Sequence, residues 1–183
     1  MTHRRIAIAF AAAGMMGIGT ASALADGGER TFSTKLVGYN ETPLTLNSDG
    51  SGRFTARVSK DGSSIDYTLS YDDLANVQQA HIHFGRPAIT GQIVLFLCTN
   101  LGNAPASVPT PQLCPPAPAK ISGTLTAADV IERATQNIHG GAQGLAEMIA
   151  AMRAGAAYAN VHTVAFPGGE IRGAVKPDED EDD

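Results

Sequence analysis

The chain has 183 residues, two cysteines and a formal net charge of −5, and 43% of its residues are hydrophobic. This length suits a single domain with a hydrophobic core of its own. Its cations are scattered along the sequence, without a basic cluster of the kind that neutralises a phosphate backbone, which argues against nucleic acid as a partner.

The first 25 residues have the three-part pattern of a cleavable secretory signal. Arg4 and Arg5 precede an apolar stretch, and Ala23-Leu24-Ala25 matches the small-x-small cleavage pattern. The alternative is a membrane anchor, but glycines interrupt the apolar stretch and it is short for a bilayer span of about 20 residues. We therefore expect a periplasmic or secreted protein that has no membrane span after cleavage. Without the two signal arginines its net charge is −7.

Cleavage leaves one domain, expected over residues 26–176, and an acidic tail over residues 177–183. Six successive acidic residues, 178–183, predict a solvated, disordered end. Both cysteines, Cys98 and Cys114, lie in the domain, and an oxidising compartment favours one disulfide between them. Two unpaired thiols, or one soft metal ligand, are the alternatives.

Alternating polar and apolar residues predict two strands in the first half of the domain. Residues 53–59 and 64–71 both show the two-residue period of a half-buried strand. Asp61-Gly62 between them is a strong hairpin signal, so we expect the two strands to pair antiparallel.

The rest of the domain is expected to contain further strands and two short helices. Residues 92–98 are nearly all apolar, which predicts a central strand covered on both faces, whereas the segment 103–118, with five prolines from 109 onward, predicts an irregular loop. One helix is expected to open at Thr126 as N-cap, and a second to span 145–155. The pattern indicates a mainly antiparallel β-sandwich with two inserted helices, its other strands lying at 31–38, 77–85, 120–126, 157–163 and 169–176.

Three histidines are the strongest candidates for chemistry. His81 and His83 are two apart in a predicted strand, so their imidazoles share one face, and His162 lies in a later strand. If the two strands are neighbours, three neutral imidazoles converge, which suits zinc with an open position, or copper. The alternative is that the histidines form ordinary hydrogen bonds with their neighbours.

Other polar residues are weaker candidates for the same site. His139 is a candidate fourth ligand, although an exposed loop histidine is the simpler interpretation. Glu41, Asn160 and Glu170 are candidates to orient an imidazole, with strand-end hydrogen bonding as the alternative. Arg172 is a candidate cation for guiding an anion inward; the alternatives are a surface strand residue or a partner of Glu170.

Four segments together resemble the CHRD domain, the module named after chordin and also found in exported bacterial proteins. The resemblance implies an immunoglobulin-like β-sandwich with limited similarity to copper–zinc superoxide dismutases. That similarity implies copper ligands at His81, His83 and His162, but four mature-chain histidines are too few for a two-metal site. The resembling segments are 36–43 (LVGYNETP), 80–85 (AHIHFG), 158–163 (YANVHT) and 167–173 (PGGEIRG).

The resulting prediction is an exported protein that binds one metal ion, copper in preference to zinc, and handles it rather than catalysing a reaction. The alternative is a non-enzymatic module that binds another extracytoplasmic protein and has structural histidines. A copper-only superoxide dismutase is a third, weaker interpretation. The sequence has no nucleophile elbow, phosphate loop or dinucleotide fingerprint, so nothing indicates hydrolase or transferase chemistry.

Overall fold

The computed structural model describes residues 29–178, which form eight β-strands and one α-helix. The predicted signal at 1–25 and tail residues 179–183 lie outside the described residues. The mainly β, antiparallel class is confirmed. The elements are β1 (Thr31–Val37), β2 (Ser51–Val58), β3 (Ser64–Asp72), β4 (Val77–Phe84), β5 (Gln92–Thr99), β6 (Ala119–Thr126), α1 (Gly141–Arg153), β7 (Ala157–Thr163) and β8 (Ile171–Pro177).

All eight strands belong to one antiparallel sheet in the order β5-β4-β7-β8-β1-β2-β3-β6. This continuity corrects the predicted sandwich, which would divide the strands between two sheets. The two ends of the order approach each other, because the hydroxyl of Tyr67 in β3 donates to the carbonyl of Leu97 in β5. Gln112 adds a second link, donating both to that hydroxyl and to the carbonyl of Ser122 in β6. The sheet therefore curls into a nearly closed barrel.

β5 is buried on both faces as predicted, but it ends the sheet order instead of lying at its centre. Its free edge is satisfied by loop segments rather than by another strand. The N–H of Thr99 donates to the carbonyl of Gln112, and the N–H of Ile131 donates to the carbonyl of Val94. Backbone polar groups of a buried edge need such partners, and irregular segments supply them here.

The barrel interior holds the core, and the predicted hairpin is confirmed. β2 and β3 pair antiparallel, with Phe54 opposite Leu69 and both side chains buried inside the barrel. The intervening Gly62 has φ +71°, a conformation that glycine adopts without steric cost. Strands β4 and β7 contribute Ile82 and Val161 to the same core.

One α-helix is present among residues 29–178 where two helices were predicted. Thr126 caps only a 3-10 turn, Ala127–Asp129, in a capping box with Asp129. The helix does not continue because Ile131 is buried and its N–H bonds to β5 instead. The second predicted helix is α1, which begins four residues earlier than expected and ends before Gly155, at φ +63°.

The proline-rich segment after β5 is irregular, as predicted, and is tied back to the strand by a disulfide. Cys98 at the end of β5 bonds to Cys114, with their Cα atoms 5.1 Å apart. Asn100 reinforces this closure, because its side chain accepts from the N–H of Cys114 and donates to the carbonyls of Val77 and Cys114.

Candidate metal centre

The two strands that carry the candidate histidines are direct neighbours. In the β4–β7 pairing, His81 lies opposite Asn160, His83 opposite Tyr158, and His162 opposite Gln79. Alternation puts all three imidazoles on the outer face of the sheet, opposite the barrel core. The strand pairing therefore brings together the three histidines that the sequence singled out.

Although they lie on the outer face, the three rings are buried. His81 is 0% exposed, His83 6% and His162 5%. The ring of Phe96 in β5 meets His81 edge-on at 4.5 Å between centroids, and the carbonyls of Gly91 and Pro167 contact the other two rings. The segments that follow β4 and β7 thus cover the cluster.

Backbone carbonyls orient two of the three imidazoles. Nδ1 of His83 lies 3.0 Å from the carbonyl oxygen of Gly91, and Nδ1 of His162 lies 3.0 Å from that of Pro167. Each Nδ1 must carry the proton that it donates, so each Nε2 retains a lone pair. This is the arrangement by which metal-binding histidines are commonly held.

The remaining nitrogens lack ordinary partners. Nε2 of His81 and Nε2 of His83 are both buried without a hydrogen-bond partner. Nδ1 of His81 lies 3.3 Å from Nε2 of His162. A buried polar atom without a partner costs about 1–3 kcal/mol, so the cluster contains acceptor capacity that the described residues leave unused.

The separations fit a shared metal ion. One ligand atom from each histidine lies within 4.8 Å of those from the other two. Two nitrogens that each bind one ion at about 2.0–2.1 Å, at a tetrahedral angle, are about 3.3 Å apart. The 3.3 Å between His81 Nδ1 and His162 Nε2 matches this value.

The electrostatics keep all three imidazoles neutral near pH 7. Burial lowers the pKa of His83 to about 3, although its bond to Gly91 opposes the shift. Burial also lowers the pKa of His81 and of His162, and the other two histidines lower that of His81 further. A neutral imidazole is the form that coordinates a metal.

His83 is part of a three-layer stack. Its ring lies against that of Tyr158, with centroids 4.5 Å apart and planes 8° from parallel. On the opposite side of Tyr158, the guanidinium carbon of Arg172 is 3.4 Å from the ring centroid. The Arg172 side chain donates to the hydroxyl of Thr42 and the carbonyl of Ile89, which fixes the cation over the aromatic face.

The other residues predicted to orient an imidazole have different partners. Asn160 donates to Glu41 and to the carbonyl of Ile171. Glu170 accepts from the hydroxyls of Ser48 and Thr163. Their hydrogen bonds connect the segment between β1 and β2 to β7 and to the residue before β8, and none of them reaches a ring nitrogen of the three histidines.

Glu41 is buried beside the site and has an unusual acidity. Its side chain is 5% exposed, and burial raises its pKa to about 7, against the lowering effects of Arg172 and of the Asn160 hydrogen bond. Near neutral pH it therefore carries a proton part of the time.

His139 is not a member of the three-histidine group. Its Nδ1 lies 2.7 Å from a carboxylate oxygen of Glu147 in α1, and its backbone N–H donates to the other oxygen. The side chain is about half exposed, consistent with the interpretation as a surface loop histidine.

Sequence reasoning missed Tyr158 and Gly91. Tyr158 belongs to the same alternation as Asn160 and His162, and that spacing could have placed it on the histidine face. Gly91 had no such signal, because its importance comes from a close approach: a Cβ there would lie 1.9 Å from the carbonyl oxygen of Phe84.

These features define a class of protein, a nearly closed barrel made of one antiparallel sheet, with a buried three-histidine group on its outer face. Residues 32–175 match the family model of the CHRD domain, so the chain belongs to the CHRD family. No curated protein and no solved structure matches the chain, and the expected likeness to superoxide dismutases therefore gains no support from these comparisons. Between residues 29 and 178, no helix has the length and apolar character needed to cross a bilayer.

Proposed function

We propose that this protein binds a single transition-metal ion through His81, His83 and His162, with copper preferred over zinc. The ion is held or transferred rather than used in catalysis. The observation that supports this best is the convergence of three neutral, buried imidazoles, two of which have ring nitrogens without a partner.

The donor set supports copper over zinc. Imidazole suits both ions, and the general affinity order of first-row divalent metals places Cu²⁺ above Zn²⁺. Three imidazoles leave a coordination position open, where the bound metal would act as a Lewis acid or exchange its electron. Delivery of the protein to the periplasm or the exterior is part of the proposal, supported by the signal pattern at 1–25 and by the disulfide, which persists in oxidising compartments.

The test is metal stoichiometry and affinity in matched variants. Parent protein, the double variant His81→Ala/His83→Ala and the control His139→Ala are loaded with Cu²⁺ or Zn²⁺, dialysed and measured by elemental analysis. We expect one copper per chain in the parent and the control, and less than a tenth of that in the double variant. Equal retention in all three proteins would contradict the proposal.

A second candidate function is an extracytoplasmic interaction module whose histidines are structural. The 3.3 Å separation of His81 Nδ1 and His162 Nε2 favours it, because a proton shared between these atoms forms a long hydrogen bond without a metal. This function predicts no stoichiometric metal after loading, and a partner recoverable from the same compartment. A copper-only dismutase is the weaker alternative, and superoxide removal no faster than by free copper would exclude it.

A further inference from the structure

A second part of the sheet's outer face carries a concentration of positive charge. Lys35 in β1 lies directly opposite Arg53 in β2, Arg53 opposite Ser70 in β3, and Ser70 opposite Lys120 in β6. All three cations are exposed on the outer face, and exposed Lys176 of β8 lies beside β1, paired with Ser33. We call this row, Lys35, Arg53, Lys120 and Lys176, the cationic groove.

The row is unfavourable for the folded protein by itself. Like charges directly opposite on neighbouring strands repel, as Lys35 and Arg53 must. Among the described residues, the only ion pair within 4 Å joins His139 and Glu147, so none of the four cations has a carboxylate at that distance. Such an arrangement, in a chain whose net charge is −5, favours a bound anion.

Two adjoining cavities give this surface its shape. One, of about 620 Å³, lies over Arg53 and Lys120, and the other, of about 680 Å³, lies beside Lys176; Lys35 lines both. Together they cross five neighbouring strands, from β8 to β6, a path of about 19 Å at the usual strand spacing. An elongated, open groove fits a linear polymer better than a compact small molecule.

The lining indicates the chemistry of the polymer. Ser33, Ser51 and Ser70 line the two cavities together with the cations, and the ring of Tyr39, 66% exposed, borders one cavity. Serine hydroxyls suit sugar hydroxyls, the cations suit carboxylate or sulfate groups, and an exposed aromatic face suits a sugar ring.

Other occupants fit less well. A peptide cannot add as a further strand to β1, β2 or β3 at the centre of the groove, because these strands are paired along both edges. Single-stranded nucleic acid is bound by several stacking aromatics along a basic channel, whereas Tyr39 is the only aromatic bordering the two cavities with an exposed ring. Asp72 also lines the groove, so the charge suits a polymer with spaced anionic groups rather than a phosphate backbone.

We propose that the cationic groove binds a linear anionic polysaccharide, with Lys35 and Arg53 at the centre of the contact. The four cations are not members of the histidine group, although Arg172 and Glu41, which lie beside that group, also line the cavity near Lys176. The contact is centred on Lys35 and Arg53, so the proposal does not need a bound metal. Metal-free protein is therefore the right material for the test.

The experiment measures binding of oligogalacturonate and of a heparin oligosaccharide to chelator-treated protein by titration calorimetry at low salt. The variant Lys35→Gln/Arg53→Gln is compared with the charge-matched control Arg57→Gln/Lys60→Gln, which removes two exposed cations that line neither cavity. We expect parent and control to agree within about twofold, and the groove variant to bind roughly tenfold more weakly to at least one of the two polymers.

Three outcomes would overturn the proposal. The parent binds neither charged polymer; both variants lose affinity equally, which indicates general electrostatic attraction; or a single-stranded DNA of equal length binds as tightly as the sugars. Neutral dextran, which lacks the anionic groups, is expected not to bind, and binding equal to that of oligogalacturonate would also contradict the charge-based contact.

Discussion

Tyr158 lies flat against His83, with ring planes 8° from parallel and centroids 4.5 Å apart. Both residues also form hydrogen bonds with Gly91. The hydroxyl of Tyr158 accepts from the N–H of Gly91, and Nδ1 of His83 donates to the carbonyl oxygen of Gly91. The orientation of His83, and hence the direction of its unpartnered Nε2, is fixed by one stacking contact and one hydrogen bond.

Removing the stacking ring should weaken metal binding without deleting a ligand. We predict that Tyr158→Leu reduces copper affinity about tenfold, the lower end of the effect of losing a group that orients a ligand. Tyr158→Phe keeps the stacked ring and is expected to stay close to the parent. Competition titration with a copper chelator measures both, and equal affinities in the leucine variant and the parent would show that the stack does not position His83.

A methyl group at Gly91 should disturb the same ring from the other side. The added Cβ would meet the carbonyl oxygen of Phe84, so the segment that accepts the His83 hydrogen bond must move. We predict that Gly91→Ala destabilises the fold by about 3 kcal/mol and also weakens copper binding. Gly168→Ala is the control, because its Cβ meets open space and its φ is not positive. Urea unfolding of the two variants tests this, and equal midpoints would contradict it.

Acid should destabilise the metal-free protein through His83. Its folded pKa, about 3, is below the unfolded value near 6.5, so between these pH values the unfolded chain binds the extra proton and stability falls as the pH falls. We compare the parent with His83→Asn, which does not titrate. From pH 7.5 to 4.5 the parent should lose about 2–3 kcal/mol more unfolding free energy than the variant. If the difference in unfolding free energy between the parent and His83→Asn stays constant from pH 7.5 to 4.5, the prediction is wrong.

Glu41 should contribute a pH dependence of the opposite sign. Its folded pKa of about 7 is above the usual value of 4.5, so the folded state holds the extra proton and stability falls as the pH rises from 4.5 to 7. Glu41→Gln keeps an acceptor for Asn160 and removes the titration. From pH 5 to pH 8 the variant should gain about 2–3 kcal/mol relative to the parent in urea unfolding. If the variant gains no unfolding free energy relative to the parent, burial does not raise the pKa of Glu41 and the prediction is wrong.

The local pattern of this sequence predicted much of the structure. Two-residue alternation and Asp61-Gly62 located the β2–β3 hairpin, and the spacing of His81 and His83 placed both rings on one face. These features depend on neighbours along the chain, which the sequence displays directly. The pairing of Cys98 with Cys114 followed because the chain has no other cysteine.

Long-range features were harder to predict. The apolar run of β5 looks the same whether its edge meets another strand or, as here, the backbone of Gln112 and Ile131. Thr126 caps a short 3-10 turn as its sequence suggests. The helix does not continue, because Ile131 is buried and its N–H bonds to β5. The histidine cluster depends on the pairing of β4 with β7. These strands are far apart in the sequence, and their pairing follows from the order of all eight strands in the sheet.

The central claim is that His81, His83 and His162 share one metal ion. Crystals of the copper-loaded protein, with diffraction recorded at the copper absorption edge, test it most directly. We predict one anomalous peak between the three imidazoles, with nitrogens about 2.0–2.1 Å away. A peak at His139 alone, or no peak at the cluster in protein that retains copper, would contradict the claim.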